Sequence, residues 1–288
     1  MIKFEVVRSL RALHAAIARH RSGPLNSVAS VAIVPTMGAI HEAHEQLIVE
    51  AKKHADIVIA SIFINPKQFS ENEDLDKYPK TEEKDIKRLK AKGCNIIFIP
   101  DTDLMYPKDF DLTIEVPVLG SVLCGKSRPN HFKGVATIVT KLLIQSGADY
   151  AIFGEKDYQQ LLIIKALVKS LNLNCKILQI KTVRDKNGLA ISSRNSYLKE
   201  KDKKTANQIN KIIQTTSINY NKTSDVKDII KSIRTKFSSI GIKKIDYIDI
   251  RDDTNLKEIK NDKSNARIFI AVYINGVRLI DNIKLKFN

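Results

Sequence analysis

VASVAIVPTMGAIHEAHEQL, residues 28–47, carries the decision about the fold. Its first half is a near-continuous Val/Ile/Ala run, the pattern of a strand buried on both faces. A Pro-Thr-Met-Gly turn ends the run, and from about His41 the apolar residues return at helical spacing. The same sequence of strand, turn and helix recurs along the chain. DIVIASIFIN (56–65), CNIIFIPD (94–101), DYAIFGEKD (149–157) and CKILQIKTVRD (175–185) are further strand candidates. HEAHEQLIVEAKKHA, TEEKDIKRLKAKG, GVATIVTKLLIQSG and DYQQLLIIKALVKSLN are the helix candidates between them. Buried strands alternating with helices predict an α/β fold, a Rossmann-like doubly wound parallel sheet. In such folds ligands bind outside the carboxyl ends of the strands. Polar, turn-forming residues cluster at those ends: Pro35 to Gly38, Asn65 to Gln68, Pro100-Asp101 and Gly154 to Asp157.

Past residue 186 the pattern changes. Two polar helices are expected over 200–219 and 225–240. KIDYIDIRD and RIFIAVYINGVRLIDNIKL follow, with Asn275-Gly276 as a two-residue hairpin turn. The chain is therefore expected to divide into a Rossmann-like domain at 1–185 and a smaller C-terminal α+β lid domain at 186–288. The hinge falls near Arg184 to Asn187, which leaves LAISSRNSYL (189–198) in the cleft. At the N-terminus, Leu10, Leu13 and Ile17 follow helical spacing with arginines opposite, and Glu5 interrupts any targeting signal.

Of the residues, 43% are apolar and 28% charged, as in a soluble globular protein. No apolar run is long enough for a membrane span, so no membrane partner is expected. Cys94, Cys124 and Cys175 form no C-x-x-C pair, which favours a reducing, cytoplasmic setting. The 48 basic against 32 acidic residues give a net charge of +16. Nucleic acid or a polyanionic substrate would both suit that balance. The lysines are dispersed over the last third among polar residues, and there is no tryptophan for base stacking. A solvated surface is the simpler reading, and no nucleic-acid partner is expected.

Four segments carry candidate chemistry. His41 and His44 lie three apart at a helix start, where free backbone amides attract anions. They are suited to one phosphate or to capping the helix. A zinc-peptidase site would need histidines four apart with a glutamate between them, so a metal site is disfavoured. Asn65 and Gln68 offer amides that both donate and accept, as a hydroxy-acid requires. In GEKDYQQL (154–161), Gly154 allows close backbone approach, Lys156 brings charge, Asp157 begins a helix and Gln160 lies three residues on. In LAISSRNSYL, Ser192, Ser193 and Arg194 form a compact donor set for phosphates. Arg128, His131 and Lys133 precede another helix, where they could clamp a carboxylate or close the site.

Taken together, PTMGAIHEAH, SIFINPKQF, DLDKYPKT, LCGKSRPNHFKGVATIV, FGEKDYQQL and ISSRNSYL resemble, in order and spacing, the signature segments of the pantothenate synthetase (pantoate–β-alanine ligase) family. This family belongs to the HxGH nucleotidyltransferases. The resemblance covers residues 30–200. It implies ATP-dependent joining of pantoate to β-alanine through a pantoyl adenylate, with Mg²⁺ present, in a cytoplasmic homodimer. It implies that the first domain binds ATP and pantoate. His44, the implied proton donor, would act with His41, Lys156 and Arg194. Met37, Gly38, Ala39, Ile40, His41, Glu42, Ala43 and His44 would form one part of the ATP site. Gly154, Glu155, Lys156, Asp157, Val183, Ile191, Ser192, Ser193 and Arg194 would complete it. Gln68, Gln160, Asn65, Arg128 and His131 would bind substrate, and Asp85 would be the surviving carboxylate for Mg²⁺. Three positions depart from the family pattern: Ala43 and Asn130 replace glycine, and Ile191 replaces methionine. A nucleotidyltransferase acting on another small acid, or a basic nucleic-acid-binding protein, are the competing classes.

Overall fold

The Val/Ile runs do form a parallel sheet. In a computed structural model, which describes residues 4–21, 29–70, 73–219, 225–259 and 265–285, six strands lie in the order β1-β4-β3-β2-β5-β6. They are β1 (Glu5–Val7), β2 (Val31–Thr36), β3 (Ile57–Ile62), β4 (Ile96–Phe98), β5 (Tyr150–Gly154) and β6 (Lys176–Ile180). β2 pairs with β3 in register from Val31 with Ile57 to Thr36 with Ile62, and with β5 on its other side. Chain order reverses between β2 and β5, so the loops after Thr36 and Gly154 face each other across the switch point.

Alternate residues of each strand feed two cores, because successive side chains point to opposite faces. Val31 and Ile33 pack under α1 (Leu10–Arg21), α7 (His131–Ser146) and α8 (Tyr158–Ser170). Ala32 and Val34 face α2 (Glu42–His54) and α3 (Glu82–Ala91). Three one-turn helices, α4 (Thr102–Met105), α5 (Pro117–Gly120) and α6 (Cys124–Ser127), lie in the long connection from β4 to α7. Asn130, at the N-cap of α7, has φ 67°, a left-handed conformation that asparagine tolerates better than most residues.

The edge strand β1 was not foreseen from the sequence. Its Val6-Val7 pair lies between Glu5 and Arg8, whereas the equally short β4 sits in the apolar run Ile96 to Ile99; only pairing with β4 makes Glu5–Val7 a strand.

α9 (Glu200–Asn219) and α10 (Val226–Ser239) cover an antiparallel sheet of β7 (Lys244–Asp252), β8 (Ala266–Ile274) and β9 (Val277–Lys284). The hairpin turn is at Asn275-Gly276, as the sequence indicates, with φ of 48° and 81°, the positive pair that a type I′ turn needs. This smaller sheet docks on the larger part by apolar contact. Phe269 and Leu256 enter the core beneath α7 and α8, and the Arg267 guanidinium lies 3.7 Å over the Tyr158 ring.

Gly134 shows how closely the sheet-covering layer fits the strand-end loops. A Cβ there would sit 2.2 Å from the Lys67 carbonyl oxygen and 2.7 Å from the Gln68 nitrogen, both backbone atoms. Alanine would raise helix propensity by about 1 kcal/mol, yet overpacking of this kind costs about 1–3 kcal/mol or more. Gly134→Ala is therefore expected to lower the thermal midpoint despite its better propensity, as measured by calorimetry.

Candidate active site

The site begins with the turn after β2. Thr36 Oγ1 donates to the Ser61 carbonyl at 2.6 Å and accepts from Gly38 N–H at 3.2 Å. Gly38 and Ala39 then both take positive φ, 83° and 50°. A side chain at Gly38 would crowd Asp85 Oδ2 at 3.1 Å and Ile62 at 3.2 Å. Asp85, reaching across from α3, accepts the N–H groups of Ala39 and Ile40 at 2.9 and 2.8 Å, and Thr81 Oγ1 donates to the same carboxylate. Asp85 is only 2% exposed. Both its oxygens are thus engaged in shaping the loop, a duty separate from the Mg²⁺ ligation that the resemblance implies. Among the described residues no cluster of three histidines, cysteines or carboxylates can hold a metal ion.

That turn delivers His41 to the N-cap of α2 and His44 to its third position. His44 Nδ1 accepts from the His41 backbone N–H at 3.4 Å, which leaves Nε2 to carry the proton. The two rings stack with centroids 3.9 Å apart at 17°. Burial, then the charges of Lys156 and Arg88, push His41 down to about 4. Burial, then His41, Lys156 and Arg88, hold His44 well below the usual imidazole range. Both rings are therefore neutral near pH 7 and act as N–H donors, not as cations. The capping and phosphate readings of this pair are compatible: capping fixes the rings, and the outward nitrogens stay available. Among the described residues His41 Nδ1 is buried with no hydrogen-bond partner.

On the β3 side, Asn65 is buried and its amide is fully engaged. It accepts from Tyr106 Oη at 2.8 Å, and it donates to the Gly134 carbonyl at 3.1 Å and to Gln68 Oε1 at 3.0 Å. Asn65 therefore orients Gln68, whose amide also donates to Met37 Sδ at 2.9 Å. His131 Nδ1–H donates to the Gln68 carbonyl at 2.7 Å, and its other nitrogen accepts from Arg128 at 3.0 Å. Burial, then the Arg128 charge, push His131 down to about 3. Arg128 also makes a two-pronged pair with Glu73, both contacts at 2.5 Å. Arg194 makes a similar pair with Asp74, at 3.0 and 2.7 Å. Glu73 and Tyr106 escaped the sequence reading, and Asp74 entered it only as the first residue of DLDKYPKT, with no role. They lie in loops without periodicity, and nothing in their local sequence marks them as partners of the arginines.

A cavity of about 230 Å³ brings most of the expected residues together. Met37, His41, Ala43 and His44 form one wall; Asn65, Gln68, Arg128 and His131 form another. Gly154, Lys156, Asp157 and Gln160 close it on the β5 side, and Val183 and Ile191 to Arg194 close it from the cleft. A larger cleft of about 670 Å³ adjoins it at Lys156, Asp157 and Arg194. Gly38, Ala39, Ile40, Glu42 and Glu155 do not line either space. The first three shape the turn, Glu42 is exposed, and Glu155 accepts from Gln179 at 2.8 Å.

The depressed imidazoles tie stability to pH. An unfolded histidine titrates near 6.5, so the unfolded chain binds more protons than the folded one below that value. Stability is full above about pH 6.5 and is lost as pH falls towards about 4 for His41 and about 3 for His131. At pH 5 each should have cost about 2 kcal/mol. Urea unfolding at pH 7 and pH 5 is expected to show that loss, with a shallower dependence in His131→Asn.

The model of the pantoate-β-alanine ligase family matches residues 5–284. A pantothenate synthetase of Pseudomonas savastanoi pv. phaseolicola is 42% identical over 282 residues, covering 97% of this chain and 98% of its own. That of Ruegeria sp. is 41% identical over 254 residues, covering 88% and 91%. The crystal structure of pantothenate synthetase from Thermus thermophilus aligns with a TM-score of 0.89 at 31% identity, over 99% of this chain and 100% of its own. A pantoate-β-alanine ligase from Francisella tularensis, complexed with β-γ ATP and β-alanine, aligns with a TM-score of 0.81 at 35% identity, over 99% of each chain. With its fold and nearly its whole length matched, the chain belongs to the pantoate-β-alanine ligase family.

Proposed function

We infer that the protein condenses (R)-pantoate with β-alanine at the expense of ATP, releasing pantothenate, AMP and pyrophosphate. The observation that carries this reading is the convergence of two neutral histidines, Lys156 and two glutamines on one cavity at the switch point. A pantoate carboxylate oxygen attacks the α-phosphorus of ATP, and the bond to the β-phosphate oxygen breaks as pyrophosphate leaves. The β-alanine amine then attacks the acyl carbon of the bound pantoyl adenylate, and AMP departs.

No protein nucleophile is required, since pantoate supplies its own. The protein must align two anions and offset their repulsion. Alignment of two reactants is worth about 7–11 kcal/mol. Gln68, held by Asn65 and Met37, and Gln160 orient pantoate. His44 Nε2–H and His41, at the N-terminus of α2, face the phosphates, with Lys156 supplying full positive charge beside them. Ser192, Ser193 and Arg194 reach the nucleotide from the cleft. Arg128 and His131 form the wall behind Gln68, with their hydrogen bonds directed to it and to Glu73. Ala43 places a methyl on the cavity wall where the family pattern has glycine, and it narrows the space for adenine.

Mg²⁺, the ion expected with ATP, finds no cage of protein carboxylates among the described residues, and no step above depends on it. The family resemblance further supports a homodimer, and unpaired cysteines suit a cytoplasmic setting. No described helix is long and apolar enough to cross a membrane.

ATP, Mg²⁺, pantoate and β-alanine together are expected to yield AMP. Omission of β-alanine should stop AMP release while one equivalent of pyrophosphate still forms; absence of AMP from the complete mixture would refute the reading. Loss of one charge-stabilising donor costs about 3–4 kcal/mol of barrier, a hundred- to a thousandfold in rate. His44→Ala and Lys156→Ala should each slow pyrophosphate release by that order. Near-normal release from either folded variant would remove its assigned role.

A further inference from the structure

The turn that carries Lys156 is held from the other part of the molecule. Glu155–Asp157 is a single 3-10 turn directly after β5, and its backbone carbonyls point towards the C-terminal sheet. Asn282, on β9, donates one amide hydrogen to the Glu155 carbonyl at 2.9 Å and the other to the Lys156 carbonyl at 3.0 Å. Its Oδ1 accepts from Arg267 at 2.6 Å. Every polar atom of this amide is matched, and the partners dictate its orientation. Two carbonyls require the NH₂ group, and a guanidinium requires the oxygen. Asn282 is 5% exposed, so these bonds form away from water, where an unmatched group is costly.

The same strand continues the connection to the expected hinge. Asp281 Oδ1 accepts from the Asn282 N–H at 2.8 Å, and the Asp281 carboxylate takes the two-pronged guanidinium of Arg184 at 2.7 and 2.8 Å. Two neighbouring residues of β9 thus grip the Lys156 turn and the segment that leaves the parallel sheet. Among the described residues Lys156 itself has a single weak ion pair, with Asp157 at 3.7 Å. Lysine's four-carbon stem is flexible, so where the backbone holds its Cα sets the range its ammonium can reach.

We propose that Asn282 is a positioning residue for adenylate formation: its amide fixes the Glu155–Lys156 backbone so that Lys156 faces His41 and His44, which makes the cavity's charge dependent on docking of the C-terminal sheet. An aspartate here would turn an oxygen towards two carbonyls, and an alanine would leave them unmatched. The inference rests on the adenylating function given above, and wild-type pyrophosphate release from ATP and pantoate tests that function separately.

The test is single-turnover pyrophosphate release by wild type, Asn282→Ala, Lys156→Ala and the double variant, each normalised to the folded fraction by circular dichroism. Asn282→Ser replaces Asn282→Ala if the latter does not fold. The expected result is at least a tenfold loss in the single Asn282 variant, with little further loss when it is added to Lys156→Ala, because both changes remove the same interaction. Consumption of preformed pantoyl adenylate by β-alanine should change less than threefold. A folded Asn282 variant that releases pyrophosphate within twofold of an active wild type would overturn the proposal. So would losses that multiply independently in the double variant, which a purely structural role gives.

Discussion

Two backbone N–H groups and one buried carboxylate set the geometry on which the site depends. The chain leaving β2 has to turn sharply to start α2, and it does so through consecutive positive φ values at Gly38 and Ala39. A non-glycine residue in that region is strained, by about 1–3 kcal/mol. Asp85 holds it there by accepting from Ala39 and Ile40. Without that clamp the turn would relax, and His41 and His44 would not meet at the helix start. α3 thereby contributes to the site although none of its side chains lines the cavity.

This duty of Asp85 is not legible in the sequence. A lone aspartate in a charged helical stretch, TEEKDIKRL, is compatible with a metal ligand or a solvated face. Only the fold brings it within reach of a loop 45 residues away. The five longer strand runs, the two polar helices and the Asn275-Gly276 hairpin were legible because each is local, resting on alternation, helical spacing or a turn dipeptide. β1 was not, since its two valines are flanked by Glu5 and Arg8 and form no apolar run. Strand ends were also legible as the location of the cavity, because the doubly wound arrangement dictates it. What stayed hidden were the partners. Glu73 and Asp74 pair with Arg128 and Arg194 across 55 and 120 positions, and Asn282 reaches Glu155 across 127. Such contacts are made by topology, and no local pattern announces them.

The pairs also revise the meaning of the chain's basic excess. A net charge of +16 suggests a cavity crowded with free cations, yet both arginines near it are bound to carboxylates. Asp74 and its hydrogen bonds to Arg194 keep that guanidinium's charge firmly in place despite burial. An isolated buried guanidinium would be costly, and a paired one with its fork filled is tolerated. On the proposed function, phosphate oxygens reaching Arg194 from the cleft side would have to exchange with the Asp74 carboxylate for the Nε and Nη2 hydrogens. Exchange tempers ground-state affinity, and tight ground-state binding does not accelerate a reaction.

The histidines follow the same logic by a different route. Two stacked imidazoles 3.9 Å apart, beside Lys156, cannot all be charged without mutual repulsion. Burial resolves the conflict by keeping both rings neutral. A neutral N–H is a weaker partner for a ground-state phosphate than an imidazolium would be. On the proposed function it would still be a fixed dipole aimed where charge grows during adenylation, and a fixed dipole needs no reorganisation at that moment. The capping contact from His41 N–H to His44 Nδ1 supplies that fixity and determines which nitrogen keeps the proton. The energetic burden therefore falls on folding: a base held neutral inside the protein must be forced to stay so as the solution becomes acidic. Acid sensitivity of the fold and readiness of the donors are two consequences of one burial.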